Sequence, residues 1–225
     1  MIDSIAGALQ FISYYHPVDF IRAMDAAYQR EQNPAALDAI AQILINSRMC
    51  AEGRRPICQD TGIVTIFLKV GMEVQWQAQM SVTDMCNEGI RRAYLDPDNV
   101  LRASILDDPD GSRKNTNDNT PGVIHYDIVP GDTLEVHVAA KGGGSEAKSK
   151  FVMLNPSDSV VDWVLEMVPQ MGAGWCPPGM LGIGIGGTAE KAMMLAKEAL
   201  LEPIDIQDLQ ARGANNRAEA MGREN

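Results

Sequence analysis

The chain has 225 residues and 45% hydrophobic content, enough for a sizeable core in one large domain or two small ones. Thirty acidic side chains against nineteen basic ones leave a net charge of -11. That balance argues against a nucleic-acid partner, which needs a clustered basic surface, while a few local cations or N–H groups suffice for a small anion.

The first ten residues carry an acid and no basic segment, and no apolar run is long enough for a span. Neither a signal peptide nor a membrane helix is supported, and the four sparse cysteines fit thiols kept reduced, so a cytoplasmic protein is expected.

In chain order, Ile5, Leu9 and Ile12 recur at helical spacing, and so do Phe20, Ile21, Met24, Ala27 and Tyr28, with His16-Pro17 as the break between the two segments. A third helix is predicted from Pro34 to about Met49. Pro56-Ile57-Cys58-Gln59-Asp60-Thr61-Gly62 then places a soft ligand, an amide, a carboxylate, a hydroxyl and a turn former ahead of the run Ile63 to Val70. That run reads as a buried strand.

Ser81 caps a predicted helix reaching Tyr94. The polar stretch from Asp107 to Gly122 is a functional or disordered loop, and Val123–Val129 with Thr133–Ala140 read as the two strands of a hairpin around Pro130-Gly131-Asp132. His125 and His137 fall in those strands and His16 precedes a proline, so all three histidines read as structural.

The run Gly142-Gly143-Gly144 asks for a reason, and close backbone approach to a ligand is the usual one. A helix is predicted over Ser157–Val168, and a second irregular loop holds Cys176-Pro177-Pro178. Met180 to Gly187 reads as a glycine-rich strand and turn, and Thr188 opens a helix to about Leu201. The tail from Gln207 offers little to pack, and Met167, Met171, Met180, Met193 and Met194 are expected in the core. The elements together predict an α+β fold, with amino-terminal helices followed by a mixed sheet flanked by helices.

Cys50 and Cys86 sit in helical patterns and read as small core residues. Cys58 and Cys176 sit in loops beside strands, at a separation unlike that of zinc ribbons or ferredoxins, so the fold must bring them together if they share a metal.

The ordered set Cys58-Gln59-Asp60-Thr61-Gly62, Arg113-Lys114-Asn115-Thr116, Asp118-Asn119-Thr120-Pro121, Lys141-Gly142-Gly143-Gly144-Ser145-Glu146, Cys176-Pro177-Pro178 and Gly184-Ile185-Gly186-Gly187-Thr188 resembles the class I, iron-sulfur-dependent fumarate hydratases from end to end. The related L-tartrate dehydratase α subunit shares most of it. The resemblance implies reversible hydration of fumarate to (S)-malate, with an open iron of a 4Fe-4S cluster as Lewis acid. It implies Cys58 and Cys176 as two metal ligands, with the third cysteine not identified in this chain.

By the same resemblance Asp60 is the acid/base residue and meets substrate together with Gln59, Arg102, Gly142 and Gly143. The plain alternative for Asp60 is a turn residue bonding its own backbone, and for Arg102 a surface cation. Because the family's third cysteine lies beyond the glycine-rich strand and its helix, residues 1–225 are expected to be a truncated amino-terminal domain. It would be inactive until joined to a carboxy-terminal domain or β subunit in a homo-oligomer such as a dimer. Two other readings stand beside this one, a nucleotide-binding module through Gly182–Gly187, whose spacing departs from the dinucleotide fingerprint, and a non-catalytic scaffold domain.

Overall fold

The computed structural model describes residues 1–176, 179–203 and 205–224. Three helices open the chain, α1 (Ile2–Tyr14), α2 (Val18–Arg30) and α3 (Pro34–Gly53). The break between α1 and α2 falls at His16-Pro17, where the sequence places it. Asn33 caps α3 through Ala35 N and Ala36 N, with Pro34 in the first turn, and the helix runs a turn beyond the predicted end to an αL residue, Arg54.

Strand β1 (Ile63–Gly71) follows, then α4 (Val82–Tyr94), which Ser81 caps by accepting from Asp84 N at 3.1 Å. The polar loop contains a two-residue pair, β2 (Leu106–Asp107) with β3 (Lys114–Asn115). The remaining strands are β4 (Val123–Val129) and β5 (Leu134–Lys141).

These last two strands are not a hairpin. The sheet order is β4-β1-β5, with β4 parallel and β5 antiparallel to β1. The short connection passes over the end of β1, where Gly71 N donates to Thr133 O and Met72 N to Val129 O, both at 2.9 Å. The cause lies in β1 itself. Val64, Ile66 and Leu68 on one face and Thr65 and Phe67 on the other are all buried, so β1 needs a neighbour on each edge, and β4 and β5 supply one each.

The core lies where α1 and α4 cover one sheet face, joining Ile5 and Leu9 to Val64, Ile66, Leu68, Cys86, Ile90 and Tyr94. Gly89 lets the two helices close together: a Cβ there would stand 2.8 Å from Ile5 Cβ.

Beyond β5 the chain is thinly packed. It carries α5 (Gly143–Glu146), α6 (Val160–Gln170), the 3-10 turn Gly172–Trp175 and α7 (Ala189–Ala199), none with a buried residue. Met180 and Met193 are about half exposed rather than in the core, because α6 and α7 have no opposed apolar layer. The glycine-rich segment before α7, expected to begin as a strand, forms none and joins no ladder. Instead a Cβ on Gly182 or Gly184 would run into the carbonyls of Ala196 or Ala192, so these glycines let the segment lie against α7. The tail forms two short helices, α8 (Ile206–Arg212) and α9 (Arg217–Glu224), linked by Arg212 and Glu219. No described helix is long and apolar enough to cross a membrane.

Candidate active site

The loop that leads into β1 is fixed from below before it offers anything upward. Ile57 N donates to Ser13 O at 2.8 Å, and Asn46 Nδ2 donates to Ile57 O at 2.9 Å, tying the loop to α1 and α3. The Tyr94 hydroxyl, at the end of α4, is shared between Thr61 O (2.8 Å) and Gly62 O (3.2 Å). Burial pushes that phenol up to about 12, with Asp60 adding to the rise and the bond to Thr61 opposing it, so near neutral pH it is a hydrogen-bond donor. Gly62 has φ +92°, and a Cβ there would lie 2.6 Å from the Ala140 carbonyl carbon. Only glycine fits.

On that base, Cys58 is an exposed free thiol. Its sulfur accepts from Asp60 N at 3.4 Å and its S–H points to Gln59 Oε1 at 3.4 Å. Asp60 accepts from Gly62 N through Oδ1 (3.3 Å) and from Gly143 N through Oδ2 (2.8 Å). Asp60 does make the Asx-type bond expected of a turn residue, and it also reaches across to the glycine turn. Gly142 must lack a side chain for this, since a Cβ would sit 3.0 Å from Asp60 Oδ2.

Arg102 is exposed, and its backbone is held beside the loop by Thr61 Oγ1, which donates to Arg102 O at 2.6 Å. A cleft of about 250 Å3 opens here, lined among others by Ser13, His16, Cys58, Asp60 and Thr61. His16 therefore has a place at the cleft as well as a structural bond, its Nδ1 lying 3.0 Å from Ser47 Oγ.

Cys176 does not line that cleft, but the turn that carries it meets the glycine run. It is an exposed free thiol in the αL conformation, φ 60°, at the end of the 3-10 turn. A Cβ on Gly144 would lie 3.2 Å from Gly174 O. The glycine run thus touches Asp60 with its first members and the turn before Cys176 with its last, so the two cysteine loops abut one short segment. Pro177 and Pro178, expected to stiffen the second loop, lie outside the described residues.

The donor chemistry fits two bonds to an iron-sulfur cluster. Two soft, accessible thiols stand on loops that meet at one turn, whereas Cys50 and Cys86 are buried, and burial pushes the Cys86 thiol up to about 11. Among the described residues no three His, Cys, Asp or Glu side chains are grouped closely enough to hold a metal ion.

Some residues of the site escape a sequence reading. Tyr94 looks like one more apolar residue of an amphipathic helix, and Asn119 like a turn former in a polar loop, yet both are fully buried beneath the cysteine loop. Glu146 is a third case. Lys197 Nζ of α7 lies 2.6 Å from its Oε1, and Lys141 Nζ lies 3.2 Å from its Oε2. Burial raises this carboxyl, but Lys197 and then Lys141 outweigh it and hold it below the ordinary range. The motif residues Lys141 and Glu146 thus fasten the glycine turn to α7.

The loop that carries Cys58, Gln59 and Asp60 into the central strand of the mixed sheet is thus opposed by a glycine turn that also meets the turn before Cys176. The chain matches the family model described as fumarate hydratase (Fumerase) over residues 2–225, and it belongs to that family. Curated relatives include the "Putative L(+)-tartrate dehydratase subunit alpha" of Methanocaldococcus jannaschii, 32% identical over 208 residues that cover 90% of this chain and 72% of the relative. The L(+)-tartrate dehydratase subunit alpha of Escherichia coli O157:H7 is 27% identical over 208 residues, 91% of this chain and 68% of the relative. The subunit of the same name from Shigella sonnei is 26% identical over the same span.

Proposed function

We propose that this chain is the cluster-bearing amino-terminal part of an iron-sulfur hydro-lyase that interconverts fumarate and (S)-malate. The observation that carries the proposal is the bond from Gly143 N to Asp60 Oδ2, which joins the cysteine loop to the glycine turn and aims the carboxylate at the cleft.

Cys58 and Cys176 would hold a 4Fe-4S cluster with a third thiolate from outside these residues, and the bound cluster would supply a Lewis-acidic iron that polarises the C–OH bond. Asp60 takes or returns the proton, as a positioned carboxylate does in general acid–base catalysis. Arg102 binds a substrate carboxylate through its planar guanidinium, and Gln59 donates from its amide. Gly142 offers its backbone N–H to the second carboxylate, while the N–H of Gly143 orients Asp60. A carboxy-terminal domain or β subunit supplies the rest of the site, in a homo-oligomer.

Asp60→Asn in the assembled enzyme is expected to lower turnover of malate roughly a thousandfold with iron content unchanged, and unaltered turnover would remove Asp60 from the chemistry. The names of the relatives favour a second reading, dehydration of L-tartrate. Comparing kcat/KM on (S)-malate and L-tartrate decides between the two.

A further inference from the structure

We propose that Asn119 is the positioning residue of the site, one carboxamide that clamps the Cys58–Gly62 loop to the Arg102–Ser104 segment and so sets the spacing between the acid/base carboxylate and the carboxylate-binding arginine. The roles of those two groups rest on the hydro-lyase reading, but the clamp itself rests on geometry. Asn119 is wholly buried. Its Nδ2 donates to Gly62 O at 3.0 Å, and its Oδ1 accepts from Ser104 N at 2.7 Å.

A carboxamide has a donor end and an acceptor end, and here each meets a backbone group from a different segment. An aspartate would keep the bond to Ser104 N and lose the one to Gly62 O. Asn also tolerates the αL backbone found here, φ 60°. The loop that presents it is itself pinned. Asp118 accepts from Thr120 N and Thr120 Oγ1 through Oδ1, and from Arg91 Nε at 3.0 Å through Oδ2. The bond from Thr61 Oγ1 to Arg102 O runs beside the clamp and joins the same two segments. The arrangement therefore links substrate-facing residues through a side chain that never reaches the cleft surface.

The test compares Asn119→Asp and Thr61→Val with the parent chain by amide hydrogen exchange and, with the domain or subunit that completes the site present, by titration with (S)-malate and L-tartrate as probes. In Asn119→Asp, exchange across residues 58–62 is expected to quicken about tenfold, the effect of one lost hydrogen bond. Ser104 N stays protected, and the α2 and α3 amides keep their rates. Thr61→Val, whose fold does not depend on a buried polar group, is expected to loosen residues 102–104 instead. Both variants are expected to weaken binding of the dicarboxylate about tenfold.

Uniform acceleration of exchange through the molecule in Asn119→Asp, or unchanged protection of residues 58–62, would reduce Asn119 to a fold stabiliser and overturn the proposal. If Asn119→Asp fails to fold, the parent chain decides: Ser104 N, bonded to the buried Asn119 Oδ1, is expected to be protected, and its exchange at the rate of an unprotected amide overturns the clamp. An assembled parent enzyme that binds neither probe would count against the substrate reading, while the exchange pattern still judges the clamp.

Discussion

The two cysteine loops are built in opposite ways. Around Cys58, every backbone turn is tied down: Tyr94 and Asn119 hold the carbonyls of Thr61 and Gly62 from a buried position, and Asp60 ties the loop to Gly143. Around Cys176 there is a 3-10 turn with no buried residue, reached from a helix with none either. The contrast teaches that one wall of the site is preformed by the core, while the other takes its geometry from its neighbours. A rigid wall suits the residues that must aim a proton and a carboxylate. On the proposed reading the second wall would supply a single thiolate, whose position a bound cluster would fix.

The sharpest way to break this comparison is to place the same methyl group in both loops. Gly62→Ala puts a Cβ 2.6 Å from the Ala140 carbonyl carbon at φ +92°, and is expected to cost about 3 kcal/mol in the urea midpoint analysis, from overpacking added to left-handed strain. Gly172→Ala, at φ +64° with nothing within 4 Å, is expected to cost only about 1 kcal/mol. Equal losses would mean that the two loops are anchored alike.

A smaller difference separates the cysteines themselves. In the native chain a thiol reagent at neutral pH is expected to modify Cys58 and Cys176 promptly. Cys86 should react about a hundredfold more slowly than a thiol of ordinary pKa, on thiolate fraction alone, because burial pushes it up to about 11 from 9.0. Mass mapping of the labelled peptides checks it, and prompt labelling of Cys86 would show the core open.

The phenol of Tyr94 has a folded pKa of about 12 against a usual 10.0, so the neutral form is favoured in the fold. The stabilising contribution is complete below pH 10 and disappears as pH rises toward 12, an effect of about 2 kcal/mol. Denaturation followed against pH should show that decline in the parent chain, and Tyr94→Phe should lose this component of it, beginning from a lower plateau by about 1 kcal/mol.

Much of this was legible before any coordinates. The run from Ile63 reads as a buried strand, Ser81 as a cap, Pro34 as a first-turn residue, and Cys50 and Cys86 as members of helices, as the structure has them. Nearness in sequence suggests a hairpin of β4 with β5, while the need of β1 for two partners is a tertiary demand that separates them. The methionines of the second half follow apolar periodicity, yet periodicity gives a face and not what covers it, and Met180 and Met193 remain exposed. Asn119 was visible as part of a motif but its role was not, because a buried carboxamide acquires meaning only when two distant segments meet it.

The proposed site requires Cys58 and Cys176 to serve one cluster from two unlike loops. The direct measurement is iron and sulfide content after anaerobic reconstitution, with the domain or subunit that completes the site present, for the parent chain and for serine variants at each of the four cysteines. Loss of bound iron in Cys58→Ser and Cys176→Ser, with Cys50→Ser and Cys86→Ser indistinguishable from the parent, is the predicted result. Full iron content in either of the first two, or its loss in either of the last two without unfolding, would contradict it.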